Sequence, residues 1–550
     1  MTRQAAGPCG HALRDARRPA AGHLRALLLY ALLLAVPACS GPEASLPPAA
    51  ETLRVVLRSD PATLDPLVSN TTVSTTVAAQ ILEPLVDLDA SLRSVPRLAV
   101  EWTREPGGKA WRFRLRSGVR WQGGGELAPA DVAATLARAL DPGTPSLGFR
   151  SLFAGAGAVE IPGPLVVRVP FGPPSPISLF SWRQLPILPE AAGRDPQRFA
   201  RHPRGSGPYR LLAWRPQEWI LLERNDDWWA GAPPIRYLLF RIIPDALTAS
   251  RALQLGEVDI APVRYADQAR ARQGRAAFRV LEYDPLIVYV VVWNLRPADT
   301  LFADARVRRA LTLAFNRQAF ADKVRRGTAR PAATLYPPLW RRGREGPPPL
   351  PFDLREAARL LEAAGWGERD GEGWRVRAGR RLSFPLLYAG EDEVRRDAAL
   401  MLESDLARIG VQVRLERVAP LELVRRMRGH DFEAAVHGWK LDAEPKGYEF
   451  LHSSQAAGGL NYGGYADPQL DRLLELEAGA REEGARSLAG LQVELRLREQ
   501  APLLFICFPI GLLGVNSRVQ GLEVGPLGPL IGYPGAAGLR LTGPATGRDG

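Results

Sequence analysis

The stretch EVRRDAALMLESDLARIGVQVRLERV, residues 393–418, constrains the fold more than any other. Leu402, Leu406 and Ile409 recur at helical spacing, Gly410 ends the run, and Val411, Val413 and Leu415 then alternate as a strand does. A helix that becomes a strand through one glycine leaves no room for a wide excursion. The helix must lie back on the sheet its strand enters, which is the unit of an α/β layer. PFDLREAARLLEAAGWG repeats the grammar, with Asp353 and Glu356 spaced as a capping box and Gly365 closing the helix. WRFRLRSGVRW alternates Trp111, Phe113 and Leu115 with arginines, the pattern of a strand with one wet face. APADVAATLARALDP starts a helix at Pro129, puts Val132, Leu136 and Leu140 on one stripe, and stops at Asp141-Pro142. The expected fold class is α/β, with mostly parallel sheets flanked by helices.

The amino terminus carries an address. Arg3, Arg14, Arg17, Arg18 and Arg25 precede the apolar run Leu27 to Ala38, which is shorter than the roughly 20 residues a membrane span needs. A basic region before a short apolar one reads as a secretory signal, residues 1–38, so the chain is expected to be exported. VPAC places Ala38 directly before Cys39 and resembles the recognition box of bacterial lipoproteins, which implies lipidation at Cys39. The alternative is ordinary cleavage after Ala38. Residues 39–52 contain GPEASLPPAAE, Pro- and Ala-rich and without periodicity, as expected of a tether.

The formal charge of +12 does not signal a nucleic-acid partner. Five arginines and one aspartate leave with residues 1–38, taking +4 and leaving +8, and the remaining arginines are scattered among acids. Beyond Cys9 and Cys39 the sequence holds only Cys507, so no disulfide is expected in the mature fold; a lone cysteine in an apolar strand reads as a small buried hydrophobe. His202, His430, His437 and His452 show no paired metal spacing, and there is no nucleophile elbow or phosphate-binding loop. No metal, cofactor or catalytic residue is therefore assigned, and the chain is not expected to be an enzyme.

Six segments, in order, carry a resemblance: LDPLVSNTTVSTTVAAQILEPLV, LRSGVRWQGGGELAPADV, GSGPYRLLAWRPQEWILLERNDDWWAGAPPI, LQLGEVDI, FADARVRRALTLAFNRQAF and NYGGYADPQLDRLL. Together they resemble the bacterial solute-binding proteins that deliver dipeptides, oligopeptides and nickel to ABC importers, over about residues 53–540. The resemblance implies a two-lobed periplasmic-binding-protein-like fold with a hinge: lobe one at 53–288, with an extra subdomain inserted at about 80–200; lobe two at 289–504; and a return to lobe one with the tail at 505–550. IVYVVVWN and PLLFICFPI are near-continuous apolar runs that suit the two crossings as strands buried on both faces. In GSGPY, Gly205 and Gly207 are read as supplying backbone angles closed to other residues, and Trp228 and Trp229 as packing anchors.

The resemblance also implies a ligand site between the lobes. Asn70, Thr71 and Thr72 match a segment that lines a peptide backbone, and their side chains can donate and accept hydrogen bonds; the alternative is a solvated approach to a helix. Asp442 falls where family members that bind peptides place an aspartate for the ligand α-ammonium, the alternative being a surface acid paired with Lys440 or Lys446. Trp439 would wall the cleft, stack on the ligand or fill core. The segment that brings an arginine to the carboxylate in dipeptide binders corresponds to LLYAGEDEVRRDAA, where no arginine precedes Arg395, and Arg395 and Arg396 read as members of the next helix. The implied function is substrate binding for an ABC importer. A monomer, lipid-anchored in the periplasm or on the outer face of the cell membrane, would capture a peptide-like solute and hand it to the permease subunits, touching the membrane only through its anchor. A nickel chelate, an oligosaccharide or an antibiotic in the same scaffold is the close alternative, and a lipid-anchored hydrolase the alternative of another class.

Overall fold

The computed structural model describes residues 46–543 apart from 70, 107–108, 146–147, 173–177, 298–299, 342, 391, 446 and 481. The expected signal, Cys39, Asn70, Glu391 and Lys446 lie outside the described residues.

Lobe one is built on a seven-stranded sheet. Thr52–Leu57 lies parallel to Tyr237–Ile242 on one side and to Ile260–Pro262 on the other. Trp219–Arg224 and Tyr209–Arg215 extend the first side by hairpins, and Gly511–Asn516 and Phe278–Tyr283 complete the second. Between its first two visits to this sheet the chain makes a four-stranded antiparallel sheet from Ala99–Arg104, Ala110–Leu115, Val166–Pro170 and Glu160–Gly163. Leu53, Phe113, Val132, Val167, Leu222 and Phe240 belong to one apolar cluster, so the second sheet and the helix Pro129–Leu140 share the core of the first.

Lobe two has a six-stranded sheet in the order Ala329–Pro331, Leu503–Pro509, Ile287–Trp293, Ala434–Lys440, Ser383–Ala389, Gln412–Val418. Its centre explains the two apolar runs. In Ile287–Trp293, Tyr289, Val291 and Trp293 enter one apolar cluster while Val288, Val290 and Val292 enter the cluster on the other face. Each such side chain contributes on the order of 1.5–3 kcal/mol by leaving water.

Neither sheet is mostly parallel, which corrects the expectation from helix–strand alternation. The parallel pairs are those of Thr52–Leu57 and of Ser383–Ala389 with their neighbours, and the other pairs are antiparallel. Hairpins and strands arriving from the other lobe set those directions, and neither leaves a helix-length crossover. Locally the sequence rules hold better. The helix Glu393–Ala407 ends before Gly410, whose φ of +78° is left-handed, and Gln412–Val418 follows parallel to Ser383–Ala389. At Asp353 only half of the capping box forms. The aspartate accepts from the Arg355 and Glu356 amides at 2.9 Å, but the Glu356 carboxylate turns to Arg359 at 2.7 Å.

Gly205 and Gly207 are special for a different reason from the one expected. Neither has a positive φ. A Cβ on Gly205 would stand 1.9 Å from the Ile81 carbonyl oxygen, and one on Gly207 2.6 Å from it. The glycines let two backbones touch, with the Gly207 amide donating to Ile81 at 2.9 Å. Beside this contact Trp228 and Trp229 both donate indole N–H groups to the buried Glu83 carboxylate, as does the Ser206 hydroxyl, and Arg97 pairs with it at 2.9 Å.

The lobes are joined by two short crossings, from Tyr283 to Ile287 and from Pro509 to Gly511. The second strand stays in lobe two through Pro509, so the return comes later than residue 505. In the first, Leu286 holds a left-handed φ of 52°, its amide donating to Asp284 Oδ1 at 3.1 Å.

Candidate functional site

Asp442 follows the strand Ala434–Lys440, which pairs antiparallel with the crossing strand so that Lys440 stands opposite Ile287 and Trp439 opposite Val288. The Leu441 amide donates to the Leu286 carbonyl at 2.6 Å, fastening the loop to the crossing itself. Asp442 is half-buried, and Trp340 Nε1 donates to its backbone carbonyl at 2.7 Å. Trp340 in turn packs edge-on against Tyr336, with ring centres 5.4 Å apart, and the Tyr336 hydroxyl donates to Glu477 Oε2 at 2.6 Å. Burial pushes the Glu477 carboxyl up to about 7, against the Tyr336 hydrogen bond and Arg486, which pull it down.

Alternation along the strand sorts its side chains. His437 and Trp439 turn into lobe two, 8% and 3% exposed, with the Trp439 ring 5.1 Å from that of Phe450. Trp439 lines a small hollow with Val292, Phe450, Tyr462, Gly463 and Leu503, and its buried indole N–H has no hydrogen-bond partner among the described residues. Burial, with Arg395 adding to it, pushes His437 down to about 3, so the imidazole is neutral at physiological pH.

On the other face, a Cβ on Gly438 would meet Tyr289 Cε1 at 2.9 Å and Arg395 Nη2 at 3.5 Å. Arg395 is a member of the helix Glu393–Ala407, yet its guanidinium reaches this strand. The same helix is capped by Asp392, which accepts from the Arg395 amide at 3.1 Å and from the Tyr289 hydroxyl at 2.8 Å. Lys440 remains exposed at the strand end. The surrounding protein nonetheless lowers its pKa, Arg183 of lobe one lowers it further, and Asp442 opposes both.

Thr71 and Thr72 stand in lobe one. Thr71 caps the helix Thr72–Ala78, its hydroxyl accepting from the Ser74 amide at 3.3 Å, and both threonines are exposed. Residues 71 and 72 thus open a helix, while Asp442 and Trp439 share one strand end of lobe two.

Three of the residues that shape this region carry no local signal. Trp340 lies 102 residues from Asp442, Arg183 sits in an ordinary short helix, and Arg395 looks like any helix surface residue; only the fold brings Trp340 and Arg395 to this strand and its loop and lets the charge of Arg183 act on Lys440. Gly438, a glycine inside an apolar strand, was the one available hint of a close approach.

Residues 93–461 match the family model for bacterial extracellular solute-binding proteins, family 5. The chain belongs to that family. The oligopeptide-binding protein AppA of Bacillus subtilis is 28% identical over 533 residues, covering 93% of this chain and 97% of AppA. Its solved structure in complex with a nonapeptide superposes with a TM-score of 0.77 at 26% identity, over 90% of this chain and 99% of that one. The nickel-binding periplasmic protein of Escherichia coli is 27% identical over 471 residues, 80% of this chain and 86% of the relative. NikZ of Campylobacter jejuni, solved with Ni(L-His), shares the fold at a TM-score of 0.78 and 21% identity, over 90% of this chain and all of that one. The two-lobed α/β architecture is thus that of the extracytoplasmic solute-binding proteins.

Proposed function

We propose that this protein is the exported substrate-binding component of an ABC importer, holding a peptide-like solute between its lobes and presenting it to the permease. The observation that carries the reading is the match to AppA, whose nonapeptide complex is covered almost end to end. The geometry of the Asp442 loop adds to it. Asp442 sits beside the crossing, its carbonyl held by Trp340 and the neighbouring Leu441 amide fastened to Leu286. In this reading Asp442 takes the ligand ammonium, Trp439 backs the site as a packed wall, and Asn70, Thr71 and Thr72 serve the ligand backbone from lobe one. A charged hydrogen bond is worth roughly 1.5–3 kcal/mol when both groups lose water on closure. Ligand favours the closed form because both lobes contact it at once. The protein acts as a monomer without chemistry on its cargo, tethered at Cys39 by lipid.

The nickel-binding relative supports a second reading, in which the same cleft holds a metal chelate. Among the described residues no group of three His, Cys, Asp or Glu is placed to hold an ion, so in that case the chelator would supply the ligands. Calorimetry with Asp442→Asn separates the readings. The substitution is expected to weaken free-amine peptides tenfold or more, and unchanged affinity would remove Asp442 from the site.

A further inference from the structure

The loop that carries Asp442 runs from the strand Ala434–Lys440 to the helix Gly447–Leu451, and contacts along it converge on one pair of side chains. At its start Trp340 holds the Asp442 carbonyl and packs edge-on against Tyr336. At its end the backbone of Gly447 lies on the hydrogen bond between Tyr336 and Glu477: a Cβ there would stand 2.8 Å from the Tyr336 hydroxyl and 3.4 Å from Glu477 Oε2. Between the two, Pro445 lines a small hollow with Tyr336, Trp340, Glu477 and Arg486. Gly490 closes the far side, since a Cβ on it would meet Glu477 Oε1 at 2.8 Å. The Glu477 carboxyl, 4% exposed, is thus clamped between two glycine backbones that keep water from it. That burial raises it from 4.5 to about 7. The groups that face it modify the effect from three elements. The Tyr336 hydroxyl and Arg486 of the helix Glu483–Gln500 favour its charge, and Glu494 of the same helix opposes it. Arg344, beyond the helix Pro338–Arg341, favours the charge only weakly because it is paired to Glu494 at 2.7 Å, as Arg341 is at 2.6 Å; Glu483 borders the hollow.

We propose that Glu477 is a proton-operated prop beneath the loop that carries Asp442: with its proton the loop is held, and without it the loop loosens and the site binds its solute less tightly. The proposal rests on the reading that Asp442 takes the solute's ammonium. Its sign follows from linkage. In the held loop the carboxyl sits near 7, whereas in a loosened loop water reaches it and returns it toward 4.5. The held state is therefore favoured most below 4.5, loses that advantage as pH rises to about 7, and changes little beyond.

Hydrogen exchange tests the prop without any ligand. Over the amides of 441–451, each rate divided by its intrinsic value, wild type is expected to lose about fivefold or more in protection between pH 5 and pH 8. Glu477→Gln, which keeps the shape but cannot ionise, is expected to lose less than about twofold. Calorimetry with Ala-Ala-Ala then reads the site. The ratio of wild-type to variant affinity, in which titration of the peptide's own amine cancels, is expected to fall about threefold or more from pH 5 to pH 8. The same exchange response in both proteins, or a constant affinity ratio, overturns the proposal. Should Ala-Ala-Ala bind neither protein, exchange decides: a response confined to wild type keeps the prop and discards the peptide reading, and its absence discards the prop. Tyr336→Phe is the second test, and the deciding one should Glu477→Gln fail to fold. It removes a hydrogen bond that pulls the Glu477 carboxyl down, so the exchange response is expected to extend to higher pH, and an unmoved response overturns the proposal.

Discussion

Two charged regions of the molecule are built on opposite plans. In lobe one, Asp259 is fully buried and its two oxygens accept five hydrogen bonds: Arg54 donates through its amide, Nε and Nη2 at 2.9–3.0 Å, and Arg518 through Nε and Nη2 at 2.7–2.8 Å. Arg518 also spends donors on the Ala49 and Thr52 carbonyls, tying the carboxy-terminal strands to the first one. A second group of charges follows the reverse plan. Among the described residues Arg183 Nε and the Gln184 amide nitrogen of lobe one are buried without hydrogen-bond partners, Arg183 having an ion pair with Asp87 at 3.5 Å, and the charge of Arg183 lowers the pKa of Lys440 in lobe two. A closed network over-determines the fold, whereas an open one leaves its free energy to be collected when something else arrives. The difference separates charge that holds the protein together from charge whose hydrogen bonds are left unmade among the described residues.

The comparison breaks most readily at Asp259. Asp259→Ala leaves the buried Arg518 and the half-buried Arg54 uncompensated and is expected to cost about 3–5 kcal/mol in urea unfolding. A loss under 1 kcal/mol would show that the network is not structural. The pH dependence has a defined sign. Burial alone pushes the Asp259 carboxyl up, but hydrogen bonds from Arg518 and Arg54 more than reverse this, leaving it below its usual range. Its stabilisation is therefore present above the unfolded value near 3.8 and lost as pH falls through the lower folded one.

Glu477 runs the other way. A carboxyl raised from 4.5 to about 7 costs stability as pH rises through that window, in total roughly 3 kcal/mol. Glu477→Gln should flatten the difference in unfolding free energy between pH 5 and pH 8, and an unaltered slope would remove Glu477 as its source.

Smaller effects belong to the open region. Trp340→Phe keeps the edge-on contact with Tyr336 but removes the donor to the Asp442 carbonyl, and is expected to cost about 1 kcal/mol of stability. Its peptide affinity should fall too, because the loop carrying Asp442 loses an anchor. Lys440→Met should change stability without ligand by less than about 0.5 kcal/mol, as measured by urea unfolding. A large loss there would place Lys440 among the structural charges and erase the contrast.

Much of this was legible in the sequence where the cause is local. The helix, glycine and strand of 393–418 are all present, because capping, periodicity and a left-handed glycine act within a few residues. What depends on distant partners was not. Gly205 and Gly207 stand out in the sequence, but that they make room for the backbone of Ile81 needs the fold. The strand directions likewise follow from which neighbour each strand finds, so alternation alone overstated the parallel pairs. Asp442 was marked by its place after Trp439, whereas the residue that holds its backbone comes from residue 340. Arg183 had no mark at all, since an arginine in a short helix is ordinary until the fold lets its charge act on Lys440 of the other lobe.

The central claim is that two lobes close on a solute whose free amine is taken by Asp442. Titrating wild-type protein with Ala-Ala-Ala and with its N-acetylated form, at equal pH and ionic strength, tests it directly. The account predicts at least tenfold tighter binding of the free amine; equal affinity for the two would contradict it.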